Sequence, residues 1–225
     1  MTDTYELELK ERIVQAWFGG SFDPVHNGHL LVAQDVVEQL CLDQLNFIPC
    51  YLSPLKHQTA CSQQDRVNML RLAIEKQNHF ALDLRELERE GSSFTIDTLK
   101  QLRVEFGDDH SLQWVIGWDA FISLPQWHLW RKLGELCNFV VLNRPGFSQE
   151  ISAELQAWCS GREVVKEELQ EFNFGKIVFL NTPLIEISSS LVRERRQRGL
   201  PIRNMLPEKV EQYILENRLF IKNIE

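Results

Sequence analysis

A short apolar run at residues 13–18 ends in Gly19-Gly20, passes through a polar loop as far as Asn27, and opens onto an amphipathic helix. No other feature of the chain restricts its fold as tightly. The run is short and partly continuous rather than strictly alternating, so it reads as a buried strand entering a loop of phosphate size. From Gly28 onward Leu30, Ala33, Val37 and Leu40 recur at three- and four-residue spacing, while Gln34, Asp35 and Glu38 fall mostly elsewhere. That spacing lays one stripe of a helix on a core.

The same unit repeats. A strand is expected at 45–49, followed by a loop containing Ser53-Pro54-Leu55-Lys56-His57 and a helix at about 63–77. Further strands are expected at 80–84, at 111–117, where Leu112, Trp114 and Ile116 alternate, and at 138–143 and 175–180; a helix is expected at 95–106. Short apolar runs alternating with helices predict an α/β fold, a Rossmann-like open and mainly parallel sheet with helices on both faces. Residues 144–174 are polar enough to read as an excursion. After Pro183, the serines at 188–190 can cap a helix that runs through Arg198 and stops near Gly199, and Pro207 opens a last helix carrying Val210, Tyr213 and Ile214. No linker divides the chain, so a single domain over residues 1–225 is expected, with a C-terminal helical region at about 187–219.

Charge bounds the partners. The 24 lysines and arginines against 32 aspartates and glutamates give a net charge of −8. Long nucleic acids and anionic membranes need basic surface to neutralise phosphates, so neither is an expected partner. Small phosphorylated molecules are not excluded, because a few cationic groups and helix N-termini turn the potential positive locally. Five arginines against one glutamate between residues 188 and 203 make such a region. The five cysteines, at 41, 50, 61, 137 and 159, form no CxxC pair and are odd in number, which fits a reducing compartment. With no apolar signal region at the N-terminus and no run of eighteen apolar residues, the expected location is cytoplasmic. The sequence leaves the assembly open at monomer or small homo-oligomer.

The chemistry concentrates at residues 19–30, Gly-Gly-Ser-Phe-Asp-Pro-Val-His-Asn-Gly-His-Leu. The glycines permit tight turning and close approach of a phosphate, the helix amides point at an anion, and His26 and His29 can donate hydrogen bonds as phosphoryl charge develops. Asn27 is the expected helix cap. The spacing matches neither GxGxxG nor GxxxxGK[ST], so the dinucleotide and Walker fingerprints both fail. A zinc site would need a third ligand that the loop does not supply.

His26-Asn27-Gly28-His29 resembles the HxGH signature of a nucleotidyltransferase superfamily, and later segments narrow the resemblance. Ser92-Ser93-Phe94-Thr95-Ile96-Asp97-Thr98-Leu99, Ile116-Gly117-Trp118-Asp119, Pro125-Gln126-Trp127 and Ile187-Ser188-Ser189-Ser190-Leu191-Val192-Arg193 occur in that order. Together they resemble the bacterial nicotinate-nucleotide adenylyltransferase family over residues 17 to about 219. The resemblance implies the nucleotidyltransferase form of the α/β fold and adenylyl transfer from ATP to nicotinate mononucleotide, giving nicotinate adenine dinucleotide and pyrophosphate for NAD biosynthesis. It implies catalytic roles for His26, His29 and Arg193, with His29 carrying the larger share in the transition state. ATP and phosphate contacts fall to Gly19, Gly20, Ser21 in a position usually held by Thr, Phe22, Lys56, Gly117, Asp119, Ile187, Ser188 and Ser189. Nicotinate nucleotide contacts fall to Asp23, Thr95 and Trp127, with Trp127 stacking on the pyridine ring. Mg²⁺ is expected with ATP as co-substrate, and no residue is assigned as its direct ligand. The chain departs from the family pattern at Ser53 and Leu55, beside Lys56, and at Trp118. Other acceptors in the same chemistry are nicotinamide mononucleotide and phosphopantetheine. A nucleotide-binding regulatory module without turnover is the alternative of a different class.

Overall fold

In the computed structural model, the described residues are 13–52, 59–89, 91–143, 151–183 and 185–221. Strand β1 (Gln15–Gly20) leads into helix α1 (Asn27–Leu40), β2 (Gln44–Pro49) into α2 (Gln63–Ile74), and β3 (Phe80–Leu82) into a short α3 (Arg85–Glu88) and the longer α4 (Thr95–Phe106). The second half continues with β4 (Gln113–Gly117), the short helices α5 (Trp118–Ile122) and α6 (Trp130–Leu133), and β5 (Asn138–Asn143). It ends with α7 (Ala153–Cys159), β6 (Ile177–Asn181), α8 (Ser189–Gln197) and α9 (Glu208–Glu216).

All strand pairs are parallel and the sheet order is β3-β2-β1-β4-β5-β6. The chain builds outward from β1 to β3, returns to the other side of β1, and builds outward again to β6. Adjacent β1 and β4 therefore form the switch point, and the crevice beyond their C-terminal ends is where an open α/β sheet takes ligands. Gly20 and Gly117 are the residues at those two ends.

Alternation along the strands decides which helices cover which face. Phe18, Phe47, Val115, Val140 and Val178 join a core with Val36, Met69, Leu70, Val192, Val210 and Ile214, so α1, α2, α8 and α9 cover that face. Trp17, Ile48, Trp114, Ile116, Phe139 and Val141 join Leu99, Phe121, Leu133 and Leu155, placing α4 to α7 on the other. Helices stand on both faces, as the sequence pattern predicts.

Several details differ from the sequence reading. Ile13 is exposed and Gly19-Gly20 belong to β1 rather than to the turn after it. The excursion at 144–174 is partly a structured crossover: residues 144–150 lie outside the described residues, but α7 sends Leu155 and Cys159 into one core and Leu169 enters the other. Polar residues dominate this span because its helices are short and bury few side chains, two of seven residues in α7 and one of six in the 3-10 helix Lys166–Glu171. All five cysteines are free thiols. Among the described residues, no helix is long and apolar enough to cross a membrane.

Candidate active site

The loop from β1 to α1 crosses the switch-point crevice. Its left-handed residue is Phe22, with φ +46°, and neither Gly19 nor Gly20 has a positive φ. The glycines serve close approach instead. A Cβ on Gly20 would stand 2.8 Å from Cζ of Phe22, and one on Gly28 would stand 3.0 Å from the His26 ring. The Phe22 ring is buried and packed edge-on against His29 at 5.1 Å, Phe47 at 5.5 Å and Phe18 at 5.8 Å, so it has nowhere to retreat. Gly20→Ala is therefore expected to destabilise the protein by about 1–3 kcal/mol, read from the urea midpoint at unchanged slope.

His26, not Asn27, takes the N-cap position of α1. Its ring is 6% exposed and stacks on His29 at 3.7 Å between centroids, with a 27° tilt. The His26 N–H donates to Nδ1 of His29 at 3.3 Å. An Nδ1 that accepts places the proton of the neutral ring on Nε2, so His29 presents a donor from its far edge. Asn27 is spent otherwise: its N–H donates to the Met205 carbonyl at 2.9 Å and its amide to the Asn204 carbonyl at 2.9 Å, tying α1 to the segment after α8. A cap and a tether use the same residue types, and only the distant partner tells them apart.

The C-terminal helical region closes over the same loop. Ser188 caps α8 by accepting from the Leu191 N–H at 3.1 Å. Ser189 Oγ donates to the Pro24 carbonyl at 2.8 Å, and Arg193 Nη1 donates to the Asp23 carbonyl at 2.6 Å while Nη2 donates to Ser190 Oγ at 3.1 Å. Ile187 packs against the adjoining core. Nearby arginines turn aside: Arg195 of α8 donates to the Pro201 carbonyl, and Arg198, at the C-cap of that helix, pairs with Glu194 at 3.1 Å. Asp23 is 5% exposed and its carboxylate is engaged within the protein. It accepts from the Ala60 N–H at 2.6 Å and from the Cys61 thiol at 3.1 Å, with Arg193 Nη1 at 3.9 Å. Burial and then the Asp23 charge push the Cys61 thiol up, which keeps it a proton donor in this pair.

Across the crevice, Gly117 caps α5 and faces open space. Asp119 stands exposed in the first turn of that helix, and it caps nothing. Trp118 leans on Phe121 and Phe179, with ring centroids 5.6 and 6.2 Å away. Thr95 is the first residue of α4, and Trp127 follows the short 3-10 turn Leu124–Gln126. The Phe94 and His128 rings meet at 4.8 Å with a 48° tilt, so the structure brings the Thr95 and Trp127 segments together. Trp127 packs partly buried against the core, and its indole N–H has no hydrogen-bond partner among the described residues. Behind α4, Thr98 Oγ1 donates to the buried Glu86 carboxyl at 2.7 Å; burial raises the pKa of Glu86 more than that bond lowers it. Lys56 and its neighbours at 53–58 lie outside the described residues.

Sequence reasoning passed over Arg66. It lies on α2, fully buried, with Nη1 donating to the Ser21 carbonyl at 2.8 Å. The signal was present, since Arg66 shares the 3-4-7 stripe with Met69, Leu70 and Ala73, where a charge is out of place unless it is held.

The switch-point crevice, with an anion-receptive helix start on one side and arginine-bearing α8 folded over it, defines a nucleotide-handling α/β protein. Residues 17–195 match the model of the Cytidylyltransferase-like family, which sets the class as nucleotidyltransferase. A protein of Marinomonas sp. named "Probable nicotinate-nucleotide adenylyltransferase" is 37% identical over 91% of this chain and 93% of its own length. One of the same name from Pectobacterium atrosepticum is 38% identical over 91% of this chain and 97% of its own. The fold matches that of the Plasmodium falciparum nicotinic acid mononucleotide adenylyltransferase complexed with NaAD, with a TM-score of 0.71 at 20% identity, over 94% of this chain and 98% of that one. The chain belongs to the nicotinate-nucleotide adenylyltransferase family.

Proposed function

We propose that the protein transfers the adenylyl group of ATP to nicotinate mononucleotide. The observation that carries this reading is the pairing of His26 and His29 at the start of α1, in the crevice over which Arg193 and Ser189 hold the 21–25 loop. An oxygen of the acceptor phosphate attacks the α-phosphorus of ATP, the bond from that phosphorus to the α–β bridging oxygen breaks, and pyrophosphate leaves with the electron pair. The acceptor phosphate is already a nucleophile, so the protein contributes alignment and charge neutralisation rather than a strong base. His29 Nε2–H and the first amides of α1 are the donors assigned to the transferring phosphoryl oxygens. Arg193 is assigned to the phosphates that depart.

Magnesium enters on the ATP phosphates, as part of the co-substrate. Among the described residues, no three His, Cys, Asp or Glu side chains are grouped to hold a metal. A donor set of imidazoles, helix amides and arginine suits an ion that keeps its waters and arrives with the nucleotide. There it would offset phosphate charge.

The acceptor side rests on α4 and Trp127. Thr95 and the first amides of α4 are assigned to the pyridine carboxylate, and Trp127 to the face of the ring. An anionic substituent gains charge-assisted hydrogen bonds there that a neutral amide does not, worth roughly 1.5–3 kcal/mol. With ATP and magnesium supplied, kcat/KM for nicotinate mononucleotide is expected to exceed that for nicotinamide mononucleotide by about 10- to 100-fold. Side-by-side turnover measurements decide it, and equal efficiencies would remove the acid preference. No pyrophosphate release with any acceptor would favour a non-catalytic nucleotide-binding module.

A further inference from the structure

Arg66 connects the two substrate loops. Its Nη1 donates to the Ser21 carbonyl, in the loop after β1, and its Nη2 approaches the Tyr51 carbonyl, in the loop after β2, at 3.5 Å. Tyr51 is held from its other side as well, because its N–H donates to Ser93 Oγ at 2.9 Å. Ser93 in turn lies two residues before Thr95, and its own N–H donates to the Leu52 carbonyl at 3.1 Å. One guanidinium thus joins the loop assigned to ATP phosphates to the start of α4, assigned to the acceptor.

The bonding also sets a peptide direction. A carbonyl and the N–H that follows it point to opposite sides of one planar unit. Holding the Ser21 carbonyl toward Arg66 turns the Phe22 N–H away from α2. The neighbouring carbonyls of Asp23 and Pro24 are held by Arg193 and Ser189, so side chains from three distant positions fix this loop.

Arg66 is an unusual choice for mere packing. The side chain is 0% exposed, and among the described residues its Nε has no partner and it belongs to no ion pair. A buried cation without a carboxylate costs several kcal/mol where a Met or Leu of similar size would cost nothing. Two carbonyls on separate loops are what the guanidinium reaches and an apolar side chain cannot.

We propose that Arg66 is a positioning residue for adenylyl transfer, setting the spacing and orientation of the ATP loop relative to the start of α4, which is assigned to the acceptor. The proposal rests on the function reading above and names a residue through which both halves of the site are aligned. Misalignment of bound reactants appears in kcat more than in KM, because each substrate keeps its own contacts.

Arg66→Lys keeps the charge but has no planar fork to span two carbonyls. With folded fraction measured by circular dichroism, and trimethylamine oxide added to hold the folded state, Arg66→Lys is expected to lower kcat by about 10- to 30-fold. Both KM values should stay within about threefold of the parent. Arg66→Met should lose at least as much. A kcat per folded molecule within about twofold of the parent, or a loss confined to KM, would overturn the proposal. Should the Arg66 variants not fold, Ser93→Ala decides by the same split, since it cuts the chain at Tyr51 and leaves the Arg66 side chain in place, at the loss of one hydrogen bond to the buried Glu86 carboxyl; there a fall in kcat of about 3- to 10-fold is expected. Parent turnover separates the two readings. A parent active only with another acceptor fails the substrate assignment, and the Arg66 comparison is then made on that acceptor.

Discussion

His29→Ala will turn over about 10²- to 10³-fold more slowly than the parent, the loss expected when a preorganised donor to developing charge is removed. The imidazole is oriented before substrate arrives. His26 stacks on it at 3.7 Å, Phe22 packs on its edge at 5.1 Å, and the His26 N–H occupies its Nδ1. In the proposed role, the Nε2 donor therefore needs no reorganisation in the transition state. Stability and catalysis should separate in this variant. Losing the cap contact costs about 1 kcal/mol, or about 2–4 °C in Tm, while turnover falls by orders of magnitude. His29→Gln keeps a donor with looser placement and should fall between the two. A folded His29→Ala protein with parental turnover would remove the role.

Arg193→Ala is expected to lower turnover by about 10²-fold and to weaken binding of pyrophosphate, measured by calorimetry. Two effects combine. In the proposed reaction the guanidinium is assigned to the departing phosphates, and its bond to the Asp23 carbonyl ties it to the 21–25 loop while Ser190, on its own helix, holds its other nitrogen. Arg193→Lys should recover only part, because an ammonium replaces a fork with a single head. Full recovery in Arg193→Lys would show that point charge suffices. An unchanged pyrophosphate affinity in Arg193→Ala would remove the assignment.

Legibility differed by element type. Helix α4 and strand β5 were readable to their bounds, because Thr95 and Phe106 or Asn138 and Asn143 mark changes of periodicity within the local sequence. The end of α8 was readable for the same kind of reason: Gly199 takes φ +68°, a conformation that favours glycine. The start of α1 was misjudged by one residue, since Asn27 is a good cap by type but its side chain finds Asn204 across the fold. The glycines were legible as a pair, and the tight turn expected of them falls instead at Phe22. Whether a glycine answers a turn or a neighbouring ring depends on where Phe22 goes, and nothing local specifies that.

At the site, the sequence by itself determined that residues 13–30 form a strand, a glycine- and histidine-bearing loop and a helix start, and that an arginine-bearing helix follows near residue 190. Those are local matters of period, capping and residue chemistry, and they carry the resemblance to the family. Only the tertiary structure decided that Arg193 and Ser189 reach the Asp23 and Pro24 carbonyls from more than 160 residues away. It also decided that the Asp23 carboxylate is taken up by Ala60, Cys61 and Arg193, and that Arg66 lies beneath Ser21 and Tyr51. The physical reason is common to all three. Hydrogen-bond partners are chosen by which loops the parallel sheet brings to the same end, and that follows from strand order and not from neighbours along the chain.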